Sequence, residues 1–294
     1  MKKTFLYLWI VLAGLVVLPS CDKDEPDQNN SIFDTNSPYR NSFDTWLLDN
    51  FILPYNIKIL YLLKDIETDF NYNVVPTEIH KAKQMAFLLK YLWLEAYESV
   101  ALTGVHFMRE TAPRVFVFLG TVEYNLSGVA RAGVAEGAMQ VILANLNNLD
   151  AYNIANQQFF KTIHHEYAHI LHQKKYYPIE FEQITPTTYL HTTWSTARTV
   201  LVAAQQGYVT QYAGKMPHED FAETMSCYLT WSNADWEAKL VQAGTTGAPL
   251  ILAKLDIIKT YMKGTWGVDL DMLKDEVQRR VNEIQYMDLI NLGF

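Results

Sequence analysis

The sequence predicts an α+β fold: a small mixed sheet in the N-terminal half and a helical C-terminal part. Three observations predict it. The β-type runs "YNIKILYLL", "RVFVFLG" and "GAMQVILANL" all fall before residue 150. Apolar residues at helical spacing dominate after it. The 294 residues are 49% hydrophobic, enough to bury a real core as one large domain or two small ones. A formal charge of −8 makes nucleic acid and anionic lipid surfaces poor partners.

Residues 1–20 read as a signal segment. Lys2 and Lys3 form a basic start, and "TFLYLWIVLAGLVVL" is too short for a comfortable membrane span. The segment ends in "LPSC", which resembles a bacterial lipoprotein processing site, so Cys21 is expected to carry lipid. Residues 21–39, rich in Asp, Asn, Ser and Pro, read as a flexible tether. Acidic residues just after the lipid-bearing Cys also resemble a surface-export signal.

The folded part, 40–294, contains strands up to about residue 173 and is helical from 174. "SFDTWLLDNFI" predicts a short helix and "YNIKILYLL" a strand. "PTEIHKAKQMAFLLKYLWLEAYESVA" predicts a long helix with Pro76 near its start. "RVFVFLG" and "GAMQVILANL" predict two strands separated by a Gly-rich turn. "NIANQQFFKTIHHEYAHILHQ" predicts the next helix, and residues 174–211 an irregular segment that covers a cleft. Helices follow at "HEDFAETMSCYLTW", 248–263 and 268–289. Cys227 lies in an apolar helical stretch and reads as a buried, inert thiol; with Cys21 lipidated, no disulfide forms. Trp93, Trp194 and Trp231 read as core packing, with the lining of a groove as the alternative, and His80, His106 and His191 as structural.

The chemistry lies in "KTIHHEYAHILHQKK", residues 161–175. His165-Glu166-Tyr167-Ala168-His169 fits H-E-x-x-H. Residues four apart share one side of a helix, so two imidazoles can converge on one ion at about 2 Å. Glu166 stands about 100° round the helix, placed to reach a water on that ion without ligating it. Random sequence with 8 His writes this pattern about once in a hundred such chains. Phe160, Ile163, Tyr167, Ile170 and Leu171 form a core face opposite His165 and His169. His172 rises roughly 10.5 Å past His165 and cannot share the ion; it reads as a hydrogen-bonding or cleft residue. His164 points about 100° away from His165. The metzincin pattern needs glycine where His172 stands and histidine where Lys175 stands, so it is excluded.

A third ligand must come from elsewhere, and "YAGKMPHEDFAETMS", residues 212–226, is the best source. Glu219 and Glu223 are four apart on one helical face: one can bind the metal, the other can orient a ligand imidazole. Ala222 between them allows a close helix approach.

"HHEYAHILHQ", "YAGKMPHEDFAE" and "LPSC" together resemble a family of bacterial lipoproteins, the putative zinc-binding metallopeptidases, or substrate-import-associated zinc metallohydrolases. The resemblance implies a zincin-like metalloprotease fold of the glutamate (gluzincin) type and one Zn2+. It also implies a lipid-anchored place at the outer membrane, on the cell surface or facing the periplasm. The implied partners are peptide or glycoprotein substrates and a TonB-dependent nutrient-uptake complex. A more distant similarity, to zinc peptidases of the anthrax lethal factor type, implies Glu219 as third ligand, Glu223 as its outer partner and Tyr212 as oxyanion donor. Glu223, His218 and Asp220 stay open as other sources of the ligand. Glu166 is the expected general base. The alternative from a different class is a non-catalytic binding lipoprotein that kept the scaffold.

Overall fold

A computed structural model describes residues 40–63, 72–125, 130–131, 133–136, 139–156 and 158–294. The expected signal segment, Cys21 and the tether lie outside them. Among the described residues the first element is helix α1 (Ser42–Leu47), which widens into a π turn, Leu48–Ile52, and ends at Tyr55. Asn41 Oδ1 accepts from the Asp44 N–H at 2.7 Å while the Asp44 carboxylate accepts from Asn41 N–H at 3.1 Å. That reciprocal cap fixes the helix start.

Strand β1 (Lys58–Leu60) and the two-residue β2 (Tyr72–Asn73) follow. Helix α2 (Ile79–Leu88) passes through a second π turn, Leu89–Leu94, and continues over Glu95–Val100. Helix α3 (Val105–Thr111) leads into β3 (Val115–Phe118). Next come β4 (Glu123–Asn125), β5 (Ala130–Arg131), β6 (Gly133–Glu136) and β7 (Gln140–Leu143). One sheet has the order β1-β3-β7-β6, with β1, β3 and β7 parallel and β6 antiparallel to β7. β2, β4 and β5 pair antiparallel in a second, smaller sheet.

The result is a mostly helical α/β chain with a small parallel sheet, and it corrects two sequence expectations. The expected long helix, here α2, lies with α3 between β1 and β3, because parallel strands need a long crossover. The "Gly-rich turn" between β3 and β7 holds three strands. "EYN", "AR" and "GVAE" carry almost no β-branched or alternating signal, so nothing marked them. "YNIKILYLL" contributes only three strand residues; among the described residues β1 is an edge, paired with β3 alone.

Side chains alternate across the parallel strands. Phe116, Phe118, Val141 and Leu143 face the main core, where Trp93 meets Tyr167 edge-on at 5.0 Å. Val117, Leu119, Ile142 and Ala144 face a small second cluster. Against the main core lies α4 (Gln158–Lys174), which carries the H-E-x-x-H motif.

Residues 174–211 are irregular apart from two short helices, α5 (Glu180–Gln183) and α6 (Val200–Gln205), the latter capped by Thr199 Oγ1. Helix α7 (Pro217–Thr230) packs on α4. Helix α8 (Asn233–Trp266) starts earlier than its periodicity predicts because Ser232 caps it; it breaks at Gly244, which has φ 67°. Helix α9 (Leu270–Glu283) follows, capped by Asp269. Among the described residues no helix is long and apolar enough to cross a membrane.

Candidate metal centre

The centre is made where α4 and α7 touch. Along α4, Phe160, Ile163, Tyr167, Ile170 and Leu171 are buried in the core. One turn apart on the side facing α7 stand His165 and His169, their Nε2 atoms 3.0 Å from each other. From α7, Glu219 Oε2 comes within 3.3 Å of His165 Nε2 and 3.1 Å of His169 Nε2. Ala222, fully buried one turn beyond Glu219, leaves room for this approach. Glu219 lies in the first turn of α7, where the N-terminal end of the helix dipole favours a carboxylate.

The four residues left open as third ligand now separate. Only Glu219 brings an oxygen to both imidazoles. Glu223 Oε1 sits behind His165, 3.0 Å from Nδ1, with the ring tilted off the ideal donor line. Asp220 points the other way, to Lys254 Nζ at 2.6 Å, and accepts from Tyr189 Oη at 2.9 Å. The His218 ring lies 5.7 Å, centroid to centroid, from that of His169.

Outer partners steady each donor. Glu223 Oε2 takes Lys161 Nζ at 2.8 Å and the Thr210 hydroxyl at 2.6 Å. His169 Nδ1 lies 2.9 Å from His172 Nε2, the hydrogen-bonding role expected for His172. Glu219 Oε1 accepts from Tyr212 Oη at 2.7 Å and Lys215 Nζ at 2.9 Å. Glu166 is part-exposed, and its carboxylate makes no hydrogen bond or ion pair with the described residues. His164 is buried and shares a hydrogen bond with Tyr97 Oη at 3.2 Å, away from the centre.

The electrostatics suit a cation. Burial works against a charged His165 ring, yet the adjacent Glu219 and Glu223 carboxylates and the charge of Glu166 push it up to about 9. Burial raises Glu219, but His165, His169, Lys215 and Tyr212 together hold it far below the usual carboxylate range. Glu223, also buried, is held down to about 2 by His165 and Lys161. Burial takes His172 down to about 3, so it is a neutral ring.

The profile of the putative zinc-binding metallo-peptidase family matches residues 36–271. The chain belongs to that family. A zinc-binding metallo-peptidase of this description from Bacteroides caccae, known from a 2.10 Å crystal structure, is 42% identical with a TM-score of 0.75. The alignment covers 88% of this chain and 98% of that one. No curated protein matches.

Zinc, the metal of the family's description, is testable against the donor set itself. Tetrahedral zinc with bonds of about 2.0–2.1 Å holds neighbouring ligand atoms about 3.3 Å apart. The three edges here are 3.0, 3.1 and 3.3 Å. One proton can satisfy only one edge of such a triangle, whereas one cation satisfies all three. His165, His169 and Glu219 therefore fit the metal of this metallo-peptidase family.

Beside the centre runs a groove of about 1030 Å³. Tyr212, Glu223 and Lys161, which touch or support the centre, line it together with Trp194 and Trp231. Trp231 packs against the main core as well as lining the groove, Trp194 lines the groove without joining that core, and Trp93 is core, as expected. Trp194 reaches the groove because the irregular segment after α4 folds over it, edge-on to Tyr212 at 4.9 Å. His80, His106 and His191 are exposed surface residues, not structural ones. Sequence reasoning missed Lys161, Thr210 and Lys215. Lys161 precedes His165 by four residues and Lys215 precedes Glu219 by four, so helical spacing carried a signal for both.

Proposed function

We propose that the protein is a zinc-dependent peptidase of the gluzincin type that hydrolyses peptide bonds. The observation that carries this reading is the triangle of His165 Nε2, His169 Nε2 and Glu219 Oε2, with Glu166, unpaired among the described residues, adjacent to His165 on the same helix and acting on its charge. Zinc held by those residues would supply a Lewis acid and an acidified water. Glu166 is the general base: it takes a proton from the attacking water and returns it to the leaving amine. Tyr212 is the oxyanion donor. Burial and Glu219 hold its hydroxyl protonated well above the ordinary range, so it donates when it turns from Glu219 to the substrate carbonyl oxygen. Glu223 keeps His165 oriented. The groove between Trp194 and Trp231 takes the polypeptide. The H-E-x-x-H helix packed on a small sheet, with helices after it, is then a zincin-like arrangement.

Lipid on Cys21 anchors the enzyme to the outer membrane in this reading, on the cell surface or facing the periplasm. There it trims peptides or glycoproteins for a TonB-dependent uptake complex. The "LPSC" segment and the acidic tether support that placement.

The test is zinc content per chain, followed by a mixed peptide library incubated with and without chelator. Chelator-sensitive cleavage is expected. Glu166→Gln should keep zinc and lose roughly 10²–10⁴-fold in rate. Zinc bound with no cleavage of any peptide would favour the binding lipoprotein; a chain that takes up no zinc would overturn the reading altogether.

A further inference from the structure

Two donors converge on one oxygen of the ligand carboxylate. Glu219 Oε1 accepts from Tyr212 Oη at 2.7 Å and from Lys215 Nζ at 2.9 Å, while Oε2 alone faces the imidazoles. Lys215 Nζ also reaches Tyr212 Oη at 3.2 Å and lies 4.9 Å from the centre of that ring. The turn that carries both residues is itself fixed. It is the short helical turn Ala213–Lys215, where Lys215 N–H donates to Tyr212 C=O and Gly214 C=O accepts from Leu190 N–H. Arg198 crosses Gly214 so closely that a Cβ there would fall 1.1 Å from Nη2.

A carboxylate near a divalent cation can bind through one oxygen or both. Two-oxygen binding by Glu219 would crowd the position a water must occupy, since a catalytic zinc site keeps its fourth position open. Tyr212 cannot hold Oε1 throughout a reaction cycle if its hydroxyl also serves the substrate. Lys215 can, because among the described residues its ammonium makes no other ion pair than the one to Glu219. We infer that Lys215 is a positioning residue that keeps Glu219 a one-oxygen ligand, with Tyr212 as the dispensable second hold. The inference rests on the metal-centre reading above.

The experiment uses cobalt in place of zinc, because its visible bands weaken when a four-coordinate ion becomes five-coordinate. Cobalt uptake by the wild-type chain is measured first; no uptake would sink the metal centre itself rather than this inference. Tyr212→Phe should keep the intense four-coordinate bands. Tyr212→Phe combined with Lys215→Met should still bind cobalt but lose band intensity, and Lys215→Arg in the same background should restore it. Unchanged bands in the double variant overturn the assignment. So does weakening in Tyr212→Phe alone, which would make the tyrosine the holder. Loss of cobalt from the double variant overturns it as well, since Lys215 would then serve binding rather than denticity.

Discussion

Asp220 and Lys254 meet at 2.6 Å in a space closed to solvent, one residue beyond Glu219. Burial pushes the Asp220 carboxyl up and the Lys254 ammonium down, so each charge depends on the other. Tyr189 and Thr224 donate to Asp220, and Lys254 also donates to Gly207 C=O at 2.8 Å. The pair ties the first turn of α7 to α8 and explains why neighbouring acids have different roles.

Breaking that pair on one side is therefore expensive. Lys254→Met should lower unfolding free energy by about 3–5 kcal/mol, because it strands a buried carboxylate. Adding Asp220→Asn should recover part of the loss. Denaturant unfolding of the single and double variants checks both, and equal stability of Lys254→Met and wild type would contradict the account.

Metal binding should divide the two glutamates of α7. Glu219→Ala removes the only carboxylate oxygen that, among the described residues, lies beside both imidazoles, and should abolish zinc uptake. Glu223→Gln leaves all three donors in place and should weaken affinity by about 10–100-fold, the usual scale for an outer partner. Competition against a chelator of known affinity measures both, and retention of zinc by Glu219→Ala would move the third ligand elsewhere.

The metal-free chain should be less stable in alkali. His165 sits at about 9 when folded, above its ordinary 6.5. Its contribution is fully present below pH 6.5 and is lost as pH rises through 9, on the order of 3 kcal/mol. Glu223 runs the opposite way: its folded value is about 2 against an ordinary 4.5, so its contribution is present above pH 4.5 and lost as pH falls through 2. Metal-free protein should melt highest between those limits. Zinc, taking the place of the His165 proton, should remove the alkaline decline. Melting curves at pH 6 and 9.5, with and without metal, are decisive.

Gly214→Ala should act on the centre from outside it. The new methyl would overlap Arg198, which is itself held by Thr188 C=O and Gln206. A cost of about 1–3 kcal/mol is expected from such overpacking, with turnover reduced because Tyr212 and Lys215 share the displaced turn. Thermal melting and library cleavage together test it; a fully stable, fully active variant would mean that Arg198 yields freely.

What was legible in the sequence was periodic. Four-residue spacing revealed His165 with His169 and Glu219 with Glu223, and the core face of α4 followed from the same arithmetic. Lys161 and Lys215 obey the identical spacing but went unread, since lysines on helices and turns are ordinarily solvated. The Asp220–Lys254 pair joins α7 to a distant part of α8, and no local pattern announces it. β4, β5 and β6 were hidden because Gly, Ala and Glu are poor strand formers whose pairing is imposed by β7 and β2.

Cys227 lies in α7 with no exposed surface, and burial drives its thiol well above the ordinary value. The chain's other cysteine is Cys21. The donors at the centre are nitrogen and oxygen, so no sulfur stands between zinc and its release. Peroxide or a thiol-alkylating reagent should therefore leave bound zinc in place, in contrast to thiolate-held zinc, which oxidation ejects.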